Sequence, residues 1–150
     1  MDYMDIALCE AKKAMEIGEV PVGAVIVKDG EILSKAHNMK EYYNDPTAHA
    51  EILAIKEATS KINNWRLTGA EMYVTLEPCP MCASAISQSR ISKVYIGTFD
   101  QTSGACGSIV NLTQNYSLNT FVDTKWCYDE RCGEILTSFF KTRRKQNMDK

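Results

Sequence analysis

Two short stretches carry residues that could do chemistry together: "PTAHAE" at 46–51 and "EPCPMC" at 77–82. The first sets His49 two positions ahead of Glu51, in a chain that holds only two histidines. The second sets Cys79 and Cys82 three apart. On a helical first turn that spacing puts both sulfurs on one side, where the helix dipole and free N–H groups favour thiolates. Two thiolates and an imidazole make a Cys2His set, three protein ligands for a tetrahedral zinc with the fourth position open to water, which is a catalytic rather than a structural arrangement. Zinc lowers the pKa of such a water toward about 7, and Glu51, a carboxylate outside the ligand set, is placed to take the proton and return it to a leaving group.

Each stretch alone admits a plainer reading. A His-x-Glu triplet also starts many surface helices, and a Cys-x-x-Cys near a βαβ unit is also a redox pair or half of a structural zinc knuckle. Together they favour catalytic zinc, because a redox pair needs no His-x-Glu and a structural site wants a fourth ligand.

The flanking sequence supplies elements to hold these residues. Apolar residues from Ile6 to Ile17 recur at three- and four-residue spacing, which predicts a helix over 5–17 closed by Gly18. "VGAVIV" and "EILSKA" flank Lys28-Asp29-Gly30, a hairpin signal. Asp45 as cap and Pro46 at the first position predict a helix that opens there and puts the His-x-Glu triplet in its first turn. Strand at 72–76, helix at 80–88 and strand at 94–97 make a βαβ unit with parallel pairing. Residues 100–123, rich in Gly, Ser, Thr and Asn, read as loops with short regular pieces. A last helix is expected from about Glu130 to Arg144, with a frayed tail.

The totals set the frame. A chain of 150 residues, 45% apolar and 24% charged, reads as one domain over 1–150 that buries about two-thirds of its unfolded surface without disulfides. No apolar run approaches a membrane span, and the N-terminus has neither a basic start nor an apolar core, so a cytoplasmic protein is expected. In that setting the six cysteines are thiols or metal ligands. A net charge of −2 excludes a uniformly basic nucleic-acid binder but allows a local basic patch.

"HAE" with "PCPMC" resembles the signature of the zinc-dependent nucleobase deaminases. "EVPVGAVIV" at 19–27, "DPTAHAEI" at 45–52, "NWRL" at 64–67, "YVTLEPCPMCASAI" at 73–86, "SRI" at 89–91 and "SFFKTRRK" at 138–145 extend the resemblance, over nearly the whole chain, to the bacterial tRNA-specific adenosine deaminases. This implies an α/β fold, the three-layer α/β/α cytidine-deaminase-like arrangement with a mixed central sheet. It implies a homodimer and hydrolytic deamination of adenosine to inosine at the wobble position of a tRNA anticodon loop. His49, Cys79 and Cys82 would hold one Zn2+ per subunit, Glu51 would move the protons, and the Cys79 N–H would help hold the attacking oxygen.

Because related enzymes act on free bases and nucleosides, the signature fixes the reaction type and leaves the substrate open. By resemblance Val22, Asn38 and Asp100 line the nucleoside pocket or hold a neighbouring nucleotide; by itself Asn38 also reads as a turn residue after a strand. Phe139 and Phe140 stand four residues before Arg143 and Arg144, so stacking aromatics and phosphate-binding cations would share a helix with Lys141 and Lys145. Alone, that run is more often a packed Phe pair before a solvated helix end; its match to the family implies an RNA contact, with the tRNA anticodon stem-loop as partner. The chain departs from the family at Thr120, where a histidine is usual, and at "KWCYDE", 125–130. Cys9, Cys106, Cys127 and Cys132 read as core or surface thiols, His37 as structural and Trp126 as packing. The rival readings are a deaminase of free guanine or cytosine, and a non-catalytic zinc-stabilised RNA-binding module.

Overall fold

The computed structural model describes residues 2–148. Helix α1 (Tyr3–Glu16) is opened by Asp2, whose side chain accepts from the Asp5 N–H while Asp5 returns the bond to the Asp2 N–H. Strands β1 (Gly23–Lys28) and β2 (Glu31–His37) form the expected hairpin, with Asp29 and Gly30 at φ 52° and 77° in the turn. Then follow α2 (Ala50–Ile62), β3 (Glu71–Leu76), α3 (Pro80–Gln88) and β4 (Lys93–Thr98). A two-residue hairpin, β5 (Gln114–Asn115) with β6 (Thr120–Phe121), precedes β7 (Asp123–Trp126) and α4 (Glu130–Met148).

The main sheet runs β2-β1-β3-β4-β7, antiparallel on the β1 side and parallel from β3 through β7. Strand alternation divides the core in two. Ala24, Ile26, Met72, Val74, Val94 and Ile96 join Ala54, Ala58 and Ile86 of α2 and α3 on one face. Val25, Val27, Tyr73 and Tyr95 meet Met4, Leu8 and Cys132 of α1 and α4 on the other. The result is the three-layer α/β/α arrangement around a mixed sheet.

Close approach is built into the sequence where helices cross strands. A Cβ at Gly23 would lie 2.7 Å from the Ala11 N, and one at Gly97 would press on the Cys132 sulfur and lie 2.6 Å from the Thr75 carbonyl. Only glycine lets α1 and α4 settle this close to the sheet.

Two expectations are corrected and one strand is added. Helix α2 starts at Ala50 rather than behind Asp45, because Asp45 Oδ1 is taken by the Thr47 N–H and hydroxyl at 2.8 and 2.7 Å, a local turn that leaves Pro46 outside the helix. Strand β7, for which the sequence reading offers no expectation, begins at Asp123, where the expected loop region ends, and pairs in parallel with β4 as far as Trp126. Helix α4 runs on to Met148 rather than stopping near Arg144. Among the described residues no helix is long and apolar enough to cross a membrane.

Candidate active site

Helices α2 and α3 begin at the same end of the sheet, and the residues that open them face each other. His49 is the N-cap of α2 and Cys79 the N-cap of α3, both with extended backbone, and neither side chain caps its own helix. An N-cap is ordinarily a short polar residue that accepts from its own first turn. Here the two side chains turn outward and meet: His49 Nδ1 lies 3.6 Å from Cys79 Sγ and 3.5 Å from Cys82 Sγ. Pro80 at the first position of α3 forgoes an N–H that would have had no partner.

These three residues are the one His/Cys/Asp/Glu group among the described residues whose ligand atoms converge, all within 4.8 Å of one another. With Zn–S near 2.3 Å and Zn–N near 2.0–2.1 Å, a tetrahedral site requires a sulfur–nitrogen edge of about 3.6 Å. The observed separations match, so the donor set fits zinc in both chemistry and spacing.

The protons of the cluster are held unevenly. Hydrogen bonds from Cys82 and His49 hold the Cys79 thiol down to about 4, against the effect of burial. Cys82, bonded to that thiolate and deeply buried, is pushed far up, and His49 is raised by its bond to Cys79. Burial pushes the Glu51 carboxyl up to about 7. Glu51 is only 4% exposed, in the first turn of α2, one residue past Ala50.

A cavity of about 280 Å³ opens in front of this cluster, close to the lower end of small-molecule sites. Val22, Asn38, His49, Glu51, Cys79, Asp100 and Arg143, all anticipated from the sequence, line it. Cys82 is fully buried behind it. Phe139 is 7% exposed and packs edge-on against Phe140, and the Arg143 guanidinium lies over the Phe139 ring at 5.1 Å while donating to the Gly18 carbonyl at 2.8 Å. Phe140 and Arg144 are exposed on α4 and do not line the cavity.

Asn38 does more than border the space: its amide donates to the Val20 carbonyl at 3.1 Å and its carbonyl accepts from the Ala50 N–H at 2.8 Å. Asp100 spends its carboxylate on its own loop, accepting from Thr102 and Ser103. Burial works to raise that carboxyl, but these bonds hold it below its usual range.

Two buried carboxylates at the cavity escaped the sequence reading. Glu77, 2% exposed, accepts from the N–H groups of Asp100, Cys106 and Ser108 at 3.0, 2.9 and 3.1 Å and from the Ser108 hydroxyl, which fixes the 100–108 loop. Glu19, also 2% exposed, accepts from the N–H groups of Glu41 and Tyr42 at 2.6 and 2.8 Å and fixes the loop after β2. The available signal was a glutamate at the edge of each apolar strand segment, since a buried carboxylate needs donors. His37 lies outside the site, 3.0 Å from Glu10. Trp126 packs against the core and stacks on Tyr128. Cys106 and Cys132 are buried thiols and Cys9 and Cys127 exposed ones.

The family model for the cytidine and deoxycytidylate deaminase zinc-binding region matches residues 1–98. The chain belongs to this deaminase family. Similar relatives include the tRNA-specific adenosine deaminases of Aquifex aeolicus (strain VF5), 51% identical over 95% of this chain and 94% of that protein, and of Bacillus subtilis (strain 168), 48% identical over 96% and 90%. A solved structure from work on A-to-I editing by tRNA:A34 deaminases at the wobble position superposes with a TM-score of 0.86 at 42% identity, covering 89% of this deaminase chain and 98% of that one. The zinc-binding character of the family agrees with the ligand geometry above.

Proposed function

We propose that this deaminase removes ammonia hydrolytically from adenosine at the wobble position of a tRNA anticodon loop, leaving inosine. The observation that carries the proposal is the meeting of His49, Cys79, Cys82 and Glu51 at one small cavity, in a chain about half identical to tRNA-specific adenosine deaminases over nearly its whole length.

In this reading His49 Nδ1 and the sulfurs of Cys79 and Cys82 hold one zinc per subunit. Zinc held there would supply Lewis acidity, lowering the pKa of a water so that a nucleophile is available at neutral pH. Glu51 takes one proton of the attacking water and delivers it to the ring nitrogen, where it stays, and then carries the second from the new C6 hydroxyl to the amine, so that ammonia leaves as the C6–N bond breaks and the C6–O bond becomes the carbonyl of inosine. The Cys79 N–H, at the positive end of α3, helps hold the attacking oxygen. Val22 walls the base, Asn38 holds the loop around it, and Asp100 shapes the opposite rim. Phe140, Arg143 and Arg144 present aromatic and cationic groups to the RNA loop, while the buried Phe139 supports the Arg143 guanidinium from beneath rather than stacking on a base. The enzyme acts as a homodimer in the cytoplasm, each subunit one deaminase domain spanning residues 1–150.

The test is to incubate the zinc-loaded protein with an anticodon stem-loop carrying A34, and separately with free adenosine, cytosine and guanine, and to measure ammonia and inosine. Inosine from the stem-loop alone is expected. Ammonia from a free base alone would keep the zinc chemistry and overturn the RNA assignment; zinc and RNA binding without ammonia would make the protein a binding module.

A further inference from the structure

The segment that joins β2 to α2 forms one wall of the cavity through Asn38, Lys40 and Glu41, and then presents two tyrosines that the catalytic reading leaves unused. Tyr42 and Tyr43 are 69% and 55% exposed, with ring centroids 5.7 Å apart and planes at 64°. The backbone beneath them is fixed at several points. Glu19 grips the N–H groups of Glu41 and Tyr42, the Tyr43 N–H donates to the Met39 carbonyl at 2.8 Å, and the Asp45 N–H donates to the Lys40 carbonyl at 2.9 Å. One exposed tyrosine is ordinary on a protein surface. Two adjacent rings, on a pinned loop whose preceding residues line the cavity, are large contact surfaces that lose little freedom when something is laid against them.

We propose that Tyr42 and Tyr43 form a stacking platform for a nucleobase adjacent to the target adenosine, an inference that rests on the tRNA reading above. Drawing the target base out of the loop breaks its stacking and leaves a neighbouring base with an uncovered π-face. Aromatic side chains accept such a face regardless of base identity. The cation of Lys40, on the same loop and at the cavity, complements the phosphate beside a base so placed.

The experiment compares wild type, the pair Tyr42→Ser with Tyr43→Ser, and the pair Tyr42→Phe with Tyr43→Phe. Substrates are the A34 stem-loop and two analogues lacking the base either 5′ or 3′ of the target. The serine pair should raise KM by about tenfold, the scale of one lost base stack, with the effect on KM rather than kcat and the melting temperature unmoved. The phenylalanine pair should recover most of the loss, since stacking needs the rings and not the hydroxyls. One abasic analogue should raise KM for wild type by a similar factor and add nothing further in the serine pair. An unchanged KM in the serine pair, or an abasic penalty that persists in full there, overturns the platform. Wild type that makes no inosine from the stem-loop overturns the tRNA reading itself, and the variant arms keep the two failures apart.

Discussion

The Asn38 carbonyl accepts the Ala50 N–H at 2.8 Å, which ties the end of β2 to the residue that separates His49 from Glu51. The position of α2's first turn, and with it the spacing of a proposed ligand and the proposed proton carrier, therefore depends on a side chain outside the helix. Asn38→Ala leaves that N–H and the Val20 carbonyl without these partners, at a cost of about 1–3 kcal/mol. Thermal unfolding and competitive zinc titration should both report the loss, together with reduced turnover. If stability and zinc affinity hold while activity falls, Asn38 acts on the substrate alone.

Glu51→Gln keeps the shape of the side chain and removes its capacity to take a proton. Turnover should fall by about 10²–10⁴, the usual contribution of one acid–base group, while zinc content stays at the wild-type stoichiometry. Metal analysis of the purified variant checks this; loss of zinc would make Glu51 a ligand.

Chelation should lower the melting temperature and readdition of zinc should restore it, rising with the logarithm of free zinc, because the ion binds the folded site and not a preformed site in the open chain. Cys79 is only partly covered, whereas Cys82 is fully buried. Peptide mapping after thiol labelling should therefore show Cys79 gaining reactivity when zinc is withdrawn, above a constant background from the exposed Cys9 and Cys127.

Arg143 borders the cavity from α4 and is steadied by Phe139 and the Gly18 carbonyl. Replacing Arg143 and Arg144 by alanine should weaken binding of the stem-loop across sequences and reduce the slope of log affinity against log salt by about one for each lost phosphate contact. Binding measured at three salt concentrations tests it. An unchanged slope would leave this end of α4 as a packing element.

Stability against acid should depend on Glu10, which receives Lys13 Nζ at 2.7 Å and His37 Nδ1 at 3.0 Å. Burial works to raise its carboxyl, but the bonds from Lys13 and His37 outweigh it and hold the group below its usual range. A depressed folded-state value stabilises the protein above the unfolded value, about 4.3, and that stabilisation is lost as pH falls through the folded value. Glu10→Gln should therefore lower stability at neutral pH and flatten its decline below about pH 4.3, as read by denaturant unfolding across pH.

The sequence made the reaction centre easier to read than its supports. His49, Cys79 and Cys82 stand in short motifs whose residue types are chemically specific, and α1, the Asp29-Gly30 hairpin and the β3-α3-β4 unit follow from local periodicity and turn chemistry. The start of α2 was misplaced because Asp45 and Pro46 make a strong local signal, and only the three-dimensional path shows Asp45 consumed by Thr47. Strand β7 is four residues at a sheet edge with two of them exposed, and its pairing with β4 spans some thirty residues, so no local window marks it. Glu19 and Glu77 were invisible for a related reason: the N–H groups they hold lie 22 to 31 residues away.

Those two glutamates also bear on how such an enzyme changes over evolutionary time. Apart from the Ser108 hydroxyl, each grips main-chain N–H groups, which every residue but proline supplies. The exposed side chains at 40–43 can thus be exchanged without removing the bonds by which Glu19 holds that loop, whereas the 101–108 loop is less free, since a Cβ at Gly104 would lie 2.5 Å from the Asp100 carbonyl. With the platform proposed above carried on the 40–43 loop, recognition is modular with respect to catalysis, and selection or design can retune which RNA is read while leaving the Glu19 anchorage in place.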